Sequence, residues 1–120
     1  MVIIIERKGK IPSKKNRMKV WRNRMVKEKS VKNFESELKM YAIQQMTIAE
    51  IKTIDGPVRL RLDVVFGDKR KRDLQNCFGS ICDSLNDVCY HDDSQIVELI
   101  GSKKYSHGDW SYRIEITSLL

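Results

Sequence analysis

The stretch Val58-Arg59-Leu60-Arg61-Leu62-Asp63-Val64-Val65-Phe66 is followed, after two residues, by Lys69-Arg70-Lys71-Arg72-Asp73-Leu74-Gln75-Asn76. The first part places an apolar side chain at every second position, the period of a strand buried on one face. At Asp73 the period changes. Leu74, Cys77, Phe78, Ile81, Leu85 and Val88 form one stripe and Asn76, Ser80, Asp83 and Asp87 an opposing polar one, so a helix of about 15 residues starts at or just after Asp73. A strong strand thus turns into a helix through four consecutive cations.

Working outward, Ser30 is an N-cap candidate, and Phe34, Leu38, Tyr41, Ala42 and Gln45 to Ile48 recur at steps of three and four, an amphipathic helix of about five turns. Val2 to Ile5 is a short apolar strand. Residues 19–27 read as a basic ribbon or a loop. Residues 94–105 and 110–117 read as strands joined at Ser106-His107-Gly108-Asp109 in a hairpin-like turn. The order strand, basic loop, helix, strand, helix, strand, strand predicts an α+β fold. Its mixed sheet has about four to five strands, with two helices on one face. With 120 residues, 41% hydrophobic and 32% charged, and only six glycines and two prolines, one globular domain over residues 1–120 is expected.

Charge narrows the partners. Residues 1–34 hold 12 Lys/Arg against Glu6 and Glu28, a net of +10, while residues 35–120 hold 11 against 14 carboxylates, a net of −3. From Asp73 through Glu98 there is no Lys or Arg and there are six carboxylates. A segregated basic excess points to a polyanion, nucleic acid before an anionic membrane surface. The longest apolar run, Val2 to Ile5, neither spans a bilayer nor makes a secretory signal, so the expected compartment is cytoplasmic, without membrane association. Cys77, Cys82 and Cys89 are odd in number and lack a C-x-x-C pair, which argues against disulfides and structural zinc and for buried or half-buried thiols.

Asp73, at the head of the helix, and Asp92-Asp93, past its end, are the candidate metal ligands: clustered carboxylates suit a hard divalent cation such as Mg²⁺. A straight helix of that length separates its ends by roughly 20 Å, so they meet only if the chain doubles back or the helix ends early. The alternative use of the same residues is structural, with Asp73 capping the helix and Asp92-Asp93 capping a turn.

The runs Arg72-Asp73-Leu74-Gln75-Asn76, Asp83-Ser84-Leu85-Asn86 and His91-Asp92-Asp93-Ser94-Gln95-Ile96-Val97, with Pro12-Ser13-Lys14-Lys15-Asn16-Arg17 upstream, resemble the RusA family of Holliday junction resolvases over nearly the whole chain. The resemblance implies a small homodimeric endonuclease that binds four-way DNA junctions and nicks two strands symmetrically, using Mg²⁺, with Mn²⁺ as a substitute. It implies catalytic roles for Asp73, Asn76, Asp92 and Asp93, three of them (Asp73, Asp92 and Asp93) as metal ligands. Lys14, Lys15, Arg17, Arg22, Arg24, Lys69, Arg70, Lys71 and Arg72 would hold the DNA backbone. The family's Asp-x-Asp-Asn-x-x-Lys motif is broken twice, by Gln75 for the second Asp and Gly79 for the Lys. These positions are i and i+4 on one helix face, so a neighbouring carboxylate and ammonium are missing together. Either another cation, Lys71 or Lys103, rebuilds the site, or the protein is a degenerate relative that binds branched DNA or a protein partner without cutting. A small basic RNA-binding or regulatory protein is the third reading.

Overall fold

The structure, a computed structural model, describes residues 1–12, 18–21, 24–27 and 29–120, with backbone alone described for 18–21 and 24–27. The elements are β1 (Val2–Lys8), β2 (Met18–Trp21), β3 (Arg24–Lys27), α1 (Lys29–Ile48), β4 (Val58–Phe66), α2 (Gln75–Leu85), β5 (Ile96–Tyr105) and β6 (Ser111–Ser118). Four strands form a mixed sheet in the order β1-β6-β4-β5, and β2 and β3 pair as a separate antiparallel ribbon with Trp21 opposite Arg24. The α+β expectation is met, and of the two readings of residues 19–27 the ribbon is the observed one.

β4 organises the molecule. Val58, Leu60, Leu62, Val64 and Phe66 are all buried, as their alternation predicts. Beside them lie Ile114 and Ile116 of β6 and Ile3 and Ile5 of β1, and α1 and α2 close over that face with Leu38, Ala42, Met46, Ile81 and Leu85. Fully burying one such aliphatic side chain is worth about 1.5–3 kcal/mol, so this face supplies the main driving force for folding. The other face carries a charged row across four strands: Arg113 bonds Glu6 at 3.1 Å and Glu115 at 2.8 Å, and Ser102 donates to Asp63. That hydroxyl, with Arg61 alongside, holds the Asp63 carboxyl below its ordinary range.

Three expectations are corrected. First, residues 94–105 and 110–117 form strands but no hairpin. β5 pairs with β4 in parallel, whereas β6 pairs antiparallel with both β4 and β1. Periodicity marks a strand but says nothing of its partner, and β4 has two free edges to offer. Second, Ser80 belongs to the buried side of α2, because α1 packs against that side as well as the sheet, and Ser84 Oγ donates to its carbonyl at 2.6 Å. Third, α2 stops at Leu85, short of the predicted 15 residues. Asn86 leaves helical geometry there, and the chain folds back so that Tyr90 lies fully buried beside Ile54.

β5 is an edge strand, open along one side. Val97 and Leu99 are more than half exposed, and Ile100 and Tyr105 nearly so. Gly101 lies under α2, where a Cβ would run into Leu74 and Phe78. No helix among the described residues is long and apolar enough to cross a membrane.

Candidate active site

Where β4 ends and α2 begins, the structure opens a groove of about 690 Å³. One wall is Lys8 and Lys10, from β1 and the residues after it; another is Asn33 and Glu37 of α1; the third is Arg70, Lys71 and Arg72, with Asp73 and Asn76 at the head of α2. Aromatic rings line it: Phe34 lies 5.8 Å from Tyr112, and Phe66 meets Trp110 edge-on at 6.2 Å.

Asp73 is exposed, and one of its carboxylate oxygens accepts the Gln75 N–H at 2.9 Å, an Asx turn that leads into α2, whose N-cap is Leu74. The other oxygen faces no partner among the described residues. Lys103 Nζ donates to the Arg72 carbonyl at 2.7 Å, which brings an ammonium group beside Asp73 from β5. Gln75 and Gly79 are both exposed on α2, on the side away from the core. Burial pushes up the Cys77 thiol, and the neighbouring Asp73 charge adds to that, so Cys77 is no thiolate.

The cations of the groove are unequally committed. Arg72 is paired with Asp68 at 2.6 Å and holds that carboxyl below its ordinary range. Arg7 bonds Tyr41 and approaches Glu37 at 3.6 Å. Lys69 stands 5.4 Å from the Tyr105 ring. Lys8, Lys10, Arg70 and Lys71 have no ion pair among the described residues, which leaves them for phosphate.

Asp92 and Asp93 occupy the other end, immediately before β5. The Asp92 carboxylate accepts the Ser94 N–H at 2.9 Å and caps a single 3-10 turn, Asp93–Gln95; the contact with Ser94 holds its pKa down. Gln95 locks this turn to the chain before β4. Its amide nitrogen donates to the carbonyls of Ile54 (2.8 Å) and Gly56 (2.9 Å), and its oxygen accepts from the N–H groups of His91 (2.7 Å) and Asp92 (3.1 Å). His91 Nε2 also meets Asp55 at 2.7 Å. Asp93 is exposed, and its carboxylate has no hydrogen bond or ion pair among the described residues; its charge, added to burial, raises the Cys82 thiol.

The two acidic segments do not meet in one chain. β4 and β5 run parallel, so the groove lies where both strands end and Asp92-Asp93 where β5 begins. Asp73 stands level with Gly101 to Lys103 of β5, so about seven strand residues, roughly 23 Å, separate it from the turn. The early end of α2 does not shorten the gap, because the chain it releases goes to the start of β4, where Ile54 N–H donates to the Cys89 carbonyl at 2.9 Å. Among the described residues no three His, Cys, Asp or Glu side chains are grouped to hold a metal. A Mg²⁺ site built from Asp73, Asp92 and Asp93 therefore does not fit within a single copy.

Of the predicted DNA-binding residues, Arg70, Lys71 and Arg72 line the groove and Lys69 adjoins them. Lys14, Lys15, Arg17 and Arg22 lie outside the described residues, and Arg24 belongs to β3. Sequence reasoning missed Lys10, Trp110 and the Gln95 clamp. Gly9 and Gly108 at positive φ, 130° and 75°, were the available signs that the chain turns sharply next to Lys10 and Trp110.

No curated protein matches the chain. The family model described as Endodeoxyribonuclease RusA matches residues 9–117, a span that takes in both the groove and the Asp92-Asp93 turn.

Proposed function

The chain belongs to the RusA endodeoxyribonuclease family, a family of Holliday junction resolvases, and from that premise we propose that it cuts four-way DNA junctions at sites completed only when two copies associate. The observation that carries this reading is the separation of Asp73 from Asp92-Asp93, combined with an open β5 edge bearing Val97, Leu99 and Ile100. A two-fold axis perpendicular to the sheet pairs β5 with β5 of a second copy in antiparallel fashion. That arrangement brings the start of one β5 to the end of the other, so Asp93 of each copy approaches Asp73 of its neighbour. Apolar side chains that one chain leaves in water are buried at the same time.

Asp73 and Asn76 from one copy and Asp93 from the other make an oxygen donor set suited to Mg²⁺ or Mn²⁺. The cation, when bound, supplies a polarised phosphate and an activated water. The chain's own groups do the rest. Arg70 and Lys71 hold the phosphate backbone, Asp92 shapes the turn that presents Asp93, and Lys103 offers the ammonium that position 79 lacks. A basic surface meets the junction and a carboxylate site cuts it, in the cytoplasm.

Mixing two inactive variants tests the reading directly. Asp73→Asn and Asp93→Asn should each abolish nicking alone. In an equimolar mixture, half the dimers are mixed and each mixed dimer keeps one intact site, so about one quarter of the sites recover. No recovery means that the site lies within one chain. Wild-type protein that binds junctions but never nicks them with Mg²⁺ or Mn²⁺ favours the second reading, a binder that has lost cutting, which the missing pair at Gln75 and Gly79 supports. Gln75→Asp with Gly79→Lys should then create activity.

A further inference from the structure

We propose that Trp110 and Lys10 form a seat for one unpaired nucleotide beside Asp73, an inference that rests on the junction-cutting reading and assigns a new contact within it. The Trp110 ring is half-buried and fixed from below. It lies on Gly67, where a Cβ would overlap its Nε1, and meets Phe66 edge-on. Its carbonyl accepts the Gly9 N–H at 2.7 Å, and the positive φ of Gly9 turns the chain so that Lys10 returns over the ring.

Two cations attend the indole: Lys10 Nζ is 4.5 Å from the ring centroid and the Arg72 guanidinium 5.3 Å. They differ in freedom. Arg72 is tied to Asp68 through two hydrogen bonds, at 3.3 and 2.6 Å. Lys10 has a four-carbon stem and no ion pair among the described residues, so it can leave the ring for a phosphate and bare the indole face for a base. Trp is the aromatic that cations and bases favour most, and stacking a base on such a ring is worth about 1–3 kcal/mol whatever the base. A groove of about 690 Å³ has room for a nucleotide but not for a duplex. In a duplex the base faces are already covered by their neighbours, whereas the centre of a four-way junction offers unstacked ones. Arg72 precedes Asp73 in the chain, so a nucleotide held here lies next to the carboxylate proposed to cut.

The test uses the full chain and a synthetic four-way junction without divalent metal. The protein has two tryptophans, so Trp21→Phe leaves Trp110 as the sole indole. Its emission should fall at least twofold on binding the junction, and should not fall with a junction whose crossover nucleotides are abasic. Independently of Trp21, Lys10→Gln should flatten the dependence of log affinity on log salt by about 0.7–0.9, one phosphate contact, whereas Lys52→Gln at the far end of the molecule should leave it unchanged. Unquenched emission with the junction bound, equal quenching by the abasic junction, or a wild-type slope in Lys10→Gln each overturns the seat. A wild-type protein that binds a four-way junction no better than a linear duplex instead removes the junction reading on which the seat rests.

Discussion

At one end of the parallel β4–β5 pair Asp73 and Glu37 line a groove with Lys8, Lys10, Arg70, Lys71 and Arg72; at the other, His91 meets Asp55 beside Asp92 and Asp93, in a stretch with no Lys or Arg between Asp73 and Glu98. Each end is well built for half of a phosphodiester hydrolysis. The basic groove suits a phosphate backbone but has few oxygen donors to hold a cation there. The acidic turn has donors, yet by itself it repels phosphate. Their rigidity differs too: the groove is lined by long side chains, whereas the turn is locked by Gln95 through four hydrogen bonds. In the proposed dimer, a chain that keeps the two halves apart avoids bringing its carboxylates together before a cation and a second copy arrive.

The contrast is broken most completely at β5. Val97→Lys with Leu99→Lys should keep the fold, because both side chains are exposed, but charges on an edge strand oppose strand pairing. Sedimentation should report a monomer, and nicking should disappear; full activity in a monomer would show that the two ends never needed each other. Next in size, Asp73→Asn should slow nicking by at least about 100-fold, the scale on which loss of one electrostatic group acts. It should also tighten metal-free binding, because a carboxylate is removed from a phosphate groove. Arg70→Ala with Lys71→Ala should lower the salt slope by about 1.8, two contacts, and weaken binding to all DNA sequences alike. An identical slope would move the phosphate path out of the groove.

Smaller effects sharpen the other half. Gln95→Ala should destabilise the protein by about 1–2 kcal/mol in denaturant unfolding, the net worth of a few partly exposed hydrogen bonds. The salt slope should stay as in wild type, since the clamp is at the acidic end. The smallest effect is in pH. Asp68 and Asp92 are both held below the ordinary carboxylate value, by Arg72 and by Ser94 respectively. Their contributions are present above about pH 4 and are lost as pH falls through their lower folded values. Amide protection factors in residues 68–72 and 92–95, relative to the intrinsic rate at each pH, should fall together below that point. Exchange that changes at one end alone would show that only that carboxylate matters.

Much of this arrangement is legible in the residues. The alternation from Val58 to Phe66 and the stripe from Leu74 to Val88 define β4 and α2, because one buried face imposes its period on the chain. The capping use of Asp92 was legible for the same local reason, whereas Asp73, one residue ahead of Leu74, the N-cap of α2, accepts the Gln75 N–H. What stayed hidden depends on distant partners. Ile96-Val97 and Leu99-Ile100 read as a strand but not as an exposed edge, since exposure depends on which strands β4 accepts on either side. Trp110 and Lys10 lie 100 residues apart in the chain, and no local pattern links them. The cysteines behave as read: Cys77 and Cys89 are buried, Cys82 half-buried, and burial pushes Cys89 up to about 12.

The order of the sheet also sets a timetable. β6 lies between β1, more than 100 residues earlier in the chain, and β4, with Val2 opposite Thr117 and Leu60 opposite Ile116. Until it arrives, β1 has no neighbour to pair with, and contacts that close so long a loop form slowly. Trp110 enters with the same segment, so the groove is completed only as the last strand is inserted. The proposed DNA-binding groove is thus completed only when the sheet closes.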